Sequence, residues 1–433
     1  MPAAWSISRG TSGPWGSEVG ASGAGLRNYA IVTAAYWGFT LTDGALRMLV
    51  LFTFFKLGYS PFTLAFLFLL YEAAGVLANM MGGWLASKYG IKRMLIVGLV
   101  TQIAGFLILS AIEPGWPSAL LVIWVVLAQG ICGIAKDLTK TAAKSAIKLT
   151  EAEARGDGQG RLFRWVAWFT GSKNAMKGFG FFLGGVLLEA FGFSRALWLM
   201  AGALALVLIG IVLSLPALSG PSKPSRSARE LFGKSRGVNL LALARIGLFG
   251  ARDVWFVVGV PVFLYASGWT FPLVGGFLAL WTIGYGLVQA AAPAVVRRSA
   301  DGLSAEVPAA RLWSLMLLGV PLTLTGLLAL NPPRPDLVLV IGLCLFGIIF
   351  AVNSSVHSYL ILAYAGSEKA AEDVGFYYAA NAAGRFLGTL LSGVLYQIGG
   401  LGACLTGSAL MLATCWLATR ALPVTVEARP VRG

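Results

Sequence analysis

Nine basic side chains stand inside or at the edges of long apolar runs: Arg47, Lys136, Lys140, Lys144, Lys173, Lys177, Arg245, Arg252 and Arg385. Four acids share those runs: Asp43, Glu72, Asp137 and Asp253. A cation at the centre of a membrane-spanning helix costs about 2.5–3.5 kcal/mol on insertion scales, so such residues face a water-filled cavity or one another. Pairing absorbs part of the set. Nine cations against four acids leaves five unmatched positive charges, and that surplus selects an anion. Arginine grips oxyanions through two N–H groups at once, and lysine supplies a point charge. The residues expected to contact the anion are Arg47, Lys173, Lys177, Arg252 and Arg385, with Lys136 and Lys140 at the inner approach. Asp43, Glu72, Asp137 and Asp253 are the expected proton-carrying or charge-pairing groups, because a carboxylate's protonation follows its burial and the charges beside it.

Spacing refines these roles. Asp43 and Arg47 lie four residues apart on one helical face, so pairing with each other is one alternative. Arg252 and Asp253 are adjacent and diverge by about 100°, which lets each reach a different helix. Lys173 and Lys177 are one turn apart. Lys136, Lys140, Lys144 and Lys148 form a stripe that rises about 18 Å along a helix; for Lys144 and Lys148, snorkelling to lipid headgroups is the alternative. The single His357 is expected to be a hydrogen-bonded packing residue rather than a proton relay. The four cysteines (Cys132, Cys344, Cys404 and Cys415) fall in apolar runs and read as small packing residues, not as a soft-metal site. No metal and no cofactor are expected. No HExxH motif, P-loop or cluster of nucleophile and base is present, which argues against an enzyme.

The elements that must position these charges follow from composition. The chain has 433 residues, of which 57% are hydrophobic and 12% charged, with a mean hydropathy of +0.78. Soluble proteins have about 45–50% apolar and about 25% charged residues. A soluble enzyme, a disordered protein and a disulfide scaffold are excluded. Twelve apolar segments are expected near 28–53, 62–86, 93–112, 118–142, 163–190, 196–216, 237–265, 272–296, 311–330, 337–364, 374–398 and 401–420. Each is long enough for a hydrocarbon core of about 30 Å. The expected fold is an all-α membrane protein, a bundle of twelve transmembrane helices in two six-helix halves. The buried charges fall on segments one, two, four, five, seven and eleven. Segments three, six, nine and twelve carry none in their cores, so every third helix is expected on the lipid side.

Of the 33 Lys and Arg residues, about 21 lie in the loops and tails on one side and about three on the other. By the positive-inside rule both termini are cytoplasmic. The net charge of +15 therefore reports topology and not nucleic-acid binding. The expected organisation is a flexible cytoplasmic extension (1–26), an N-terminal half (27–216), a cytoplasmic linker rich in Pro, Ser and basic residues (217–236), a C-terminal half (237–420) and a cytoplasmic tail (421–433). A faint repeat relates the halves. An offset of 208 residues aligns Gly180 with Gly388, Gly185 with Gly393 and Lys177 with Arg385, as expected for parallel halves around an axis along the membrane normal.

The stretch GGWLASKYGIKR resembles the loop signature of the major facilitator superfamily. Gly83, Gly90, Lys92 and Arg93 match it, and Ser87 stands where that signature has an acid. Longer strings, NYAIVTAAYWGFTLTDGALRMLV, GIAKDLTKTAAKSAIKL, GSKNAMKGFGFFLGG, GARDVWFVVGVPVFL and GGFLALWTIGYGLVQ, resemble the ArsJ organoarsenical exporters across nearly all of residues 27–420. That resemblance implies export of 1-arseno-3-phosphoglycerate. A glyceraldehyde-3-phosphate dehydrogenase makes this ester when it uses arsenate in place of phosphate, and is thus the implied functional partner. The chain is expected to act as a monomer in the bacterial inner membrane, exchanging protons for the anion and conferring arsenate resistance. Two alternatives stay open: a carrier for other phosphorylated metabolites, and a non-transporting membrane sensor or scaffold.

Overall fold

The computed structural model describes residues 15–76, 89–113, 115–153, 159–216, 234–296, 299, 301–365 and 370–424. Among them every regular element is helical. In chain order the helices are α1 (Trp15–Lys56), α2 (Pro61–Val76, with a turn at 67–68), α3 (Ile91–Ser110), α4 (Ser118–Glu153), α5 (Gln159–Phe191) and α6 (Phe193–Ser214). They continue with α7 (Arg236–Ala266, with a turn at 257–258), α8 (Phe271–Val295), α9 (Glu306–Ala329) and α10 (Pro335–Tyr364). The last continuous stretch, Ala370–Arg420, has 51 residues. A straight helix of that length would run about 75 Å, more than twice a bilayer core. It breaks at Gly399 and Gly400, the latter with φ of 59°, a left-handed value that glycine adopts without a Cβ penalty. The break makes two antiparallel spans, α11 (370–398) and α12 (401–420).

Nine of the described helices are long and apolar enough to cross a membrane. The counted stretch 373–420 contains two spans. Helix α2 is shorter because residues 77–88 lie outside the description. Helix α5 is continuous, but Lys173 and Lys177 interrupt its apolar run. Helix α1 starts at Trp15, so residues 15–26 of the expected extension are helical. The loop signature's Gly83 and Ser87, the linker residues 217–233, the tail from 425, and the side chains of Lys144 and Lys148 lie outside the described residues.

The contacts repeat when every helix number is advanced by six. Helix α1 packs on α5 and α7 on α11, α3 on α4 and α9 on α10, α3 on α6 and α9 on α12. The glycines seen in the sequence repeat carry this symmetry. A methyl at Gly180 would come within 2.3 Å of the Leu41 carbonyl and 3.0 Å of the Gly44 Cα. Its counterpart at Gly388 would come within 2.6 Å of the Gly250 carbonyl and 3.0 Å of the Gly250 Cα. Gly185 lies against the Phe271 carbonyl at the start of α8, and Gly393 against the Pro61 carbonyl at the start of α2. The halves therefore meet along α5–α8 and α2–α11. Small residues allow such close approach of helices in a membrane. A second symmetric pair caps helix ends, where cations favour unpaired carbonyls. Lys92 donates to the Val212 and Leu215 carbonyls at the end of α6, and Arg311 to the Thr419 and Leu422 carbonyls at the end of α12.

The expected division into inner and outer helices holds for α1 and α7 against α6 and α9, but not for α3 and α4, which are both 44% buried. In its most apolar stretch α7 is 83% buried, whereas α6 is 33% and α9 is 28% buried. Helix α6 turns Trp198, Leu206 and Leu213 outward, and α9 turns Leu312, Leu315 and Leu322 outward.

Candidate functional site

Near mid-length, α1, α2, α7 and α11 bring their charged residues into one chain of ion pairs. Arg47 of α1 donates to Glu72 Oε1 of α2. Arg385 of α11 donates to the same oxygen through Nη2 at 2.7 Å and to Asp253 Oδ2 of α7 through Nε at 3.3 Å. Arg252 closes the chain on Asp253 Oδ1 at 2.6 Å. The Arg385–Glu72 pair is the one ion pair between the two halves among the described residues. Glu72 and Asp253 are each 1% exposed, so neither meets bulk water.

Two spacing expectations are corrected. Asp43 does not pair with Arg47; its carboxylate accepts the Tyr71 hydroxyl at 2.6 and 2.7 Å. Arg47 reaches Glu72 instead because α2 packs beside α1, and its guanidinium lies over the Phe68 and Tyr71 rings at 5.2 and 5.6 Å. Arg252 and Asp253 do not diverge to separate helices. The long arginine side chain folds back on its neighbour, while Asp253 also accepts from α11.

Lysines of the N-terminal half surround this chain. Lys136 of α4 lies 3.7 Å over the Tyr71 ring. Gly75 of α2 faces α4: a methyl there would stand 3.4 Å from Asp137 Oδ2 and 3.7 Å from Lys136 Nζ, ordinary contact distances. Lys177 of α5 lies 5.6 Å over the Phe181 ring, and the charges acting on it most are Arg385 and Arg47, followed by Asp43 and Arg252. Four cations act together on Glu72: Arg385, Lys136, Arg47 and Lys177. Neither Lys136 nor Lys177 has an ion-pair partner among the described residues. Lys140 stands 3.8 Å from Asp137, and Lys173 is half-buried one turn before Lys177.

Glu72 is 1% exposed, whereas the Arg385 and Lys140 side chains are 19% and 25% exposed. The face on which α1 ends is closed across the halves by rings. Phe52 stacks on Phe271 at 4.6 Å, Phe55 meets Tyr265 edge-on at 5.6 Å, and Lys56 lies over Phe271 at 4.7 Å.

The structure thus joins Arg47, Glu72, Lys136, Lys177, Arg252, Asp253 and Arg385, with Asp43 tied to them through Tyr71. Asp137 and Lys140 form a separate pair toward the N-terminal face. Tyr71 carries no charge and stands in an apolar run, so charge counting passed over it; its place directly before Glu72 was the available signal. His357 is fully buried with both ring nitrogens unpartnered, contrary to the hydrogen-bonded packing expected. Cys132, Cys404 and Cys415 are buried and Cys344 is exposed.

This arrangement can hold a small multiply charged anion against arginines from both halves. Known proteins share the scaffold. A nucleoside transporter, NupG, superposes with a TM-score of 0.68 at 16% identity, over 92% of this chain and 98% of that one. A structure addressing substrate recognition in proton-dependent oligopeptide transporters superposes with a TM-score of 0.65 at 13% identity, over 91% of this chain and 97% of that one. No curated protein matches the sequence. At these identities the likeness speaks for the fold alone. The sequence model of the Major Facilitator Superfamily matches residues 29–389, most of the chain and both halves of the bundle, and the chain belongs to that superfamily.

Proposed function

We propose that the chain is a secondary active transporter that exports an organoarsenical anion, 1-arseno-3-phosphoglycerate, from the bacterial cytoplasm by proton antiport. Both termini are cytoplasmic in this reading, the bundle sits in the inner membrane, and a glyceraldehyde-3-phosphate dehydrogenase makes the cargo. The observation that carries it is the bridging of one buried carboxylate, Glu72, by arginines of both halves, Arg47 and Arg385, with Lys136 over the adjacent Tyr71 ring. At the centre, Arg47, Lys136, Lys177, Arg252 and Arg385 stand against Asp43, Glu72 and Asp253, a surplus of two positive charges when all are ionised. A doubly charged oxyanion balances that surplus. A cationic drug would worsen it. A scaffold has no use for lysines that stand beside this chain of ion pairs with no direct ion-pair partner among the described residues.

Coupling follows from the same contacts. While Glu72 is ionised it holds Arg385 and ties the halves together. Cargo arriving from the cytoplasm takes Arg385, and Glu72 stays among Arg47, Lys136 and Lys177. With the tie broken, the halves rock and the cargo leaves outside. The tie then re-forms until a proton from outside neutralises Glu72 and frees Arg385 for the return. Cargo and proton are two ways of breaking one ion pair, which makes exchange obligatory.

Energised inside-out vesicles test the reading. Arsenic accumulates when arsenate is supplied with glyceraldehyde 3-phosphate, NAD and the dehydrogenase, and does not with arsenate alone. Transport of phosphorylated metabolites with no arsenic uptake would move the cargo to the phosphate esters, which present the same charges to the same cations.

A further inference from the structure

Arg245 is a buried cation that the central chain does not use. It lies on α7 seven residues before Arg252, about 10 Å nearer the N-terminal face. It is 4% exposed and pairs with no carboxylate among the described residues. Every arginine of the central chain does pair with one. Its guanidinium is nonetheless held firmly. Nη1 donates to the Ser354 carbonyl and hydroxyl of α10, each at 3.1 Å, and Nε donates to Asn381 Oδ1 of α11 at 3.3 Å. The Phe249 and Tyr377 rings lie 4.2 and 4.8 Å from Cζ. The Nη2 side of the fork has no protein partner.

The neighbours are also short of partners. His357 stands one turn beyond Ser354 on α10, is fully buried, and leaves both ring nitrogens without a partner. The Tyr377 hydroxyl, also fully buried, has only the Ser358 hydroxyl beside it. A guanidinium stays charged in any protein setting, and a buried charge without a counter-ion is strongly disfavoured. A guanidinium edge and an imidazole left without partners, with a phenol hydroxyl beside them, together make a receptor for an oxyanion. Its distance from the central cations is set by α11, where Asn381 holds Arg245 one turn before Arg385 meets Glu72. Four residues of α11 rise about 6 Å and the seven residues of α7 from Arg245 to Arg252 about 10 Å, the range a short chain with an oxyanion at each end can span.

We propose that Arg245, with His357 and Tyr377, is the receptor for the second head of a two-headed anion whose first head sits between Arg47 and Arg385. This deepens the transport reading and rests on it. The receptor is what discriminates the cargo from inorganic phosphate or arsenate. A single-headed anion satisfies one station and leaves Arg245 uncompensated; a two-headed one satisfies both.

The test uses the full-length purified protein and two stable probes, propylphosphonate (one head) and propane-1,3-diphosphonate (two heads), with affinity read from the thermal unfolding shift. Wild type is expected to bind the two-headed probe at least about tenfold more tightly, the worth of one charge-assisted contact. Arg245→Gln is expected to erase that preference and leave the single-headed probe unchanged. Arg385→Gln is expected to weaken both. Tyr377→Phe, which removes only the hydroxyl, is expected to lower the two-headed affinity about threefold, and it carries the test if Arg245→Gln does not fold. A preference that survives in both Arg245→Gln and Tyr377→Phe overturns the second station while the anion cavity stands. Failure of both probes on wild type overturns the anion cavity and this station together.

Discussion

Glu72 accepts from Arg47 on its own half and from Arg385 on the other, so Glu72→Gln removes the ion pair between halves and keeps the side chain's shape. Net efflux in that variant is expected to lose its dependence on the pH gradient; efflux still driven by the gradient, measured in vesicles with and without an ionophore, would assign the proton to another carboxylate. Lys177→Gln and Arg385→Gln each remove a charge-assisted contact to cargo, worth about 1.5–3 kcal/mol, or about ten- to a hundredfold in transport rate. Both proteins are expected in the membrane at wild-type levels, as an immunoblot of the membrane fraction would show. At this scale the sequence was half legible. Types and depth singled out Arg47, Glu72, Lys136, Lys177, Arg252, Asp253 and Arg385. Partners did not follow from spacing, because reach across helices outweighs position along one. Arg47 prefers a carboxylate on α2 to the one a turn away on α1, whose oxygens Tyr71 has taken. Arg245 counted as one more buried cation until its neighbours showed that no acid answers it.

Elements are held by close glycine contacts that recur in both halves. Gly180→Leu and Gly388→Leu force a side chain into the backbone of α1 and α7, and each is expected to cost about 1–3 kcal/mol or more, as overpacking does. Gly202 on the lipid-facing α6 has open space around it, so Gly202→Leu is expected within about 0.5 kcal/mol of wild type. Thermal unfolding in detergent checks all three, and an equal loss at Gly202 would refute the packing account. The 208-residue offset was visible in the sequence as a weak alignment of glycines and gains its physical meaning from these contacts. The symmetric caps from Lys92 and Arg311 were not legible. They stand at different depths of their segments, and their targets are backbone carbonyls, which carry no side-chain signature.

Across the whole molecule, two similar halves enclose unlike linings. The N-terminal half supplies lysines on α4 and α5; the C-terminal half supplies Arg252, Arg385 and an aromatic wall from Phe249, Phe256 and Phe350 around Arg252. Fold class was legible because lipid imposes one rule on every span, and α6 and α9 obey it along their length; the inner-and-outer order was legible only in part, since α3 and α4 are equally buried. Cargo identity was not, because charge registers oxyanions without naming the central atom. A cysteine replacing Lys177 is expected to react with a water-soluble thiol reagent and to be protected by cargo, whereas a sealed scaffold would leave it unreactive. The most direct measurement compares arsenic accumulation in inside-out vesicles holding wild type or the Lys177→Gln/Arg385→Gln double variant. Both receive arsenate, glyceraldehyde 3-phosphate, NAD and the dehydrogenase. Accumulation in wild type and none in the folded double variant is the expected result; equal accumulation in both would place the cargo elsewhere and contradict the central cationic site.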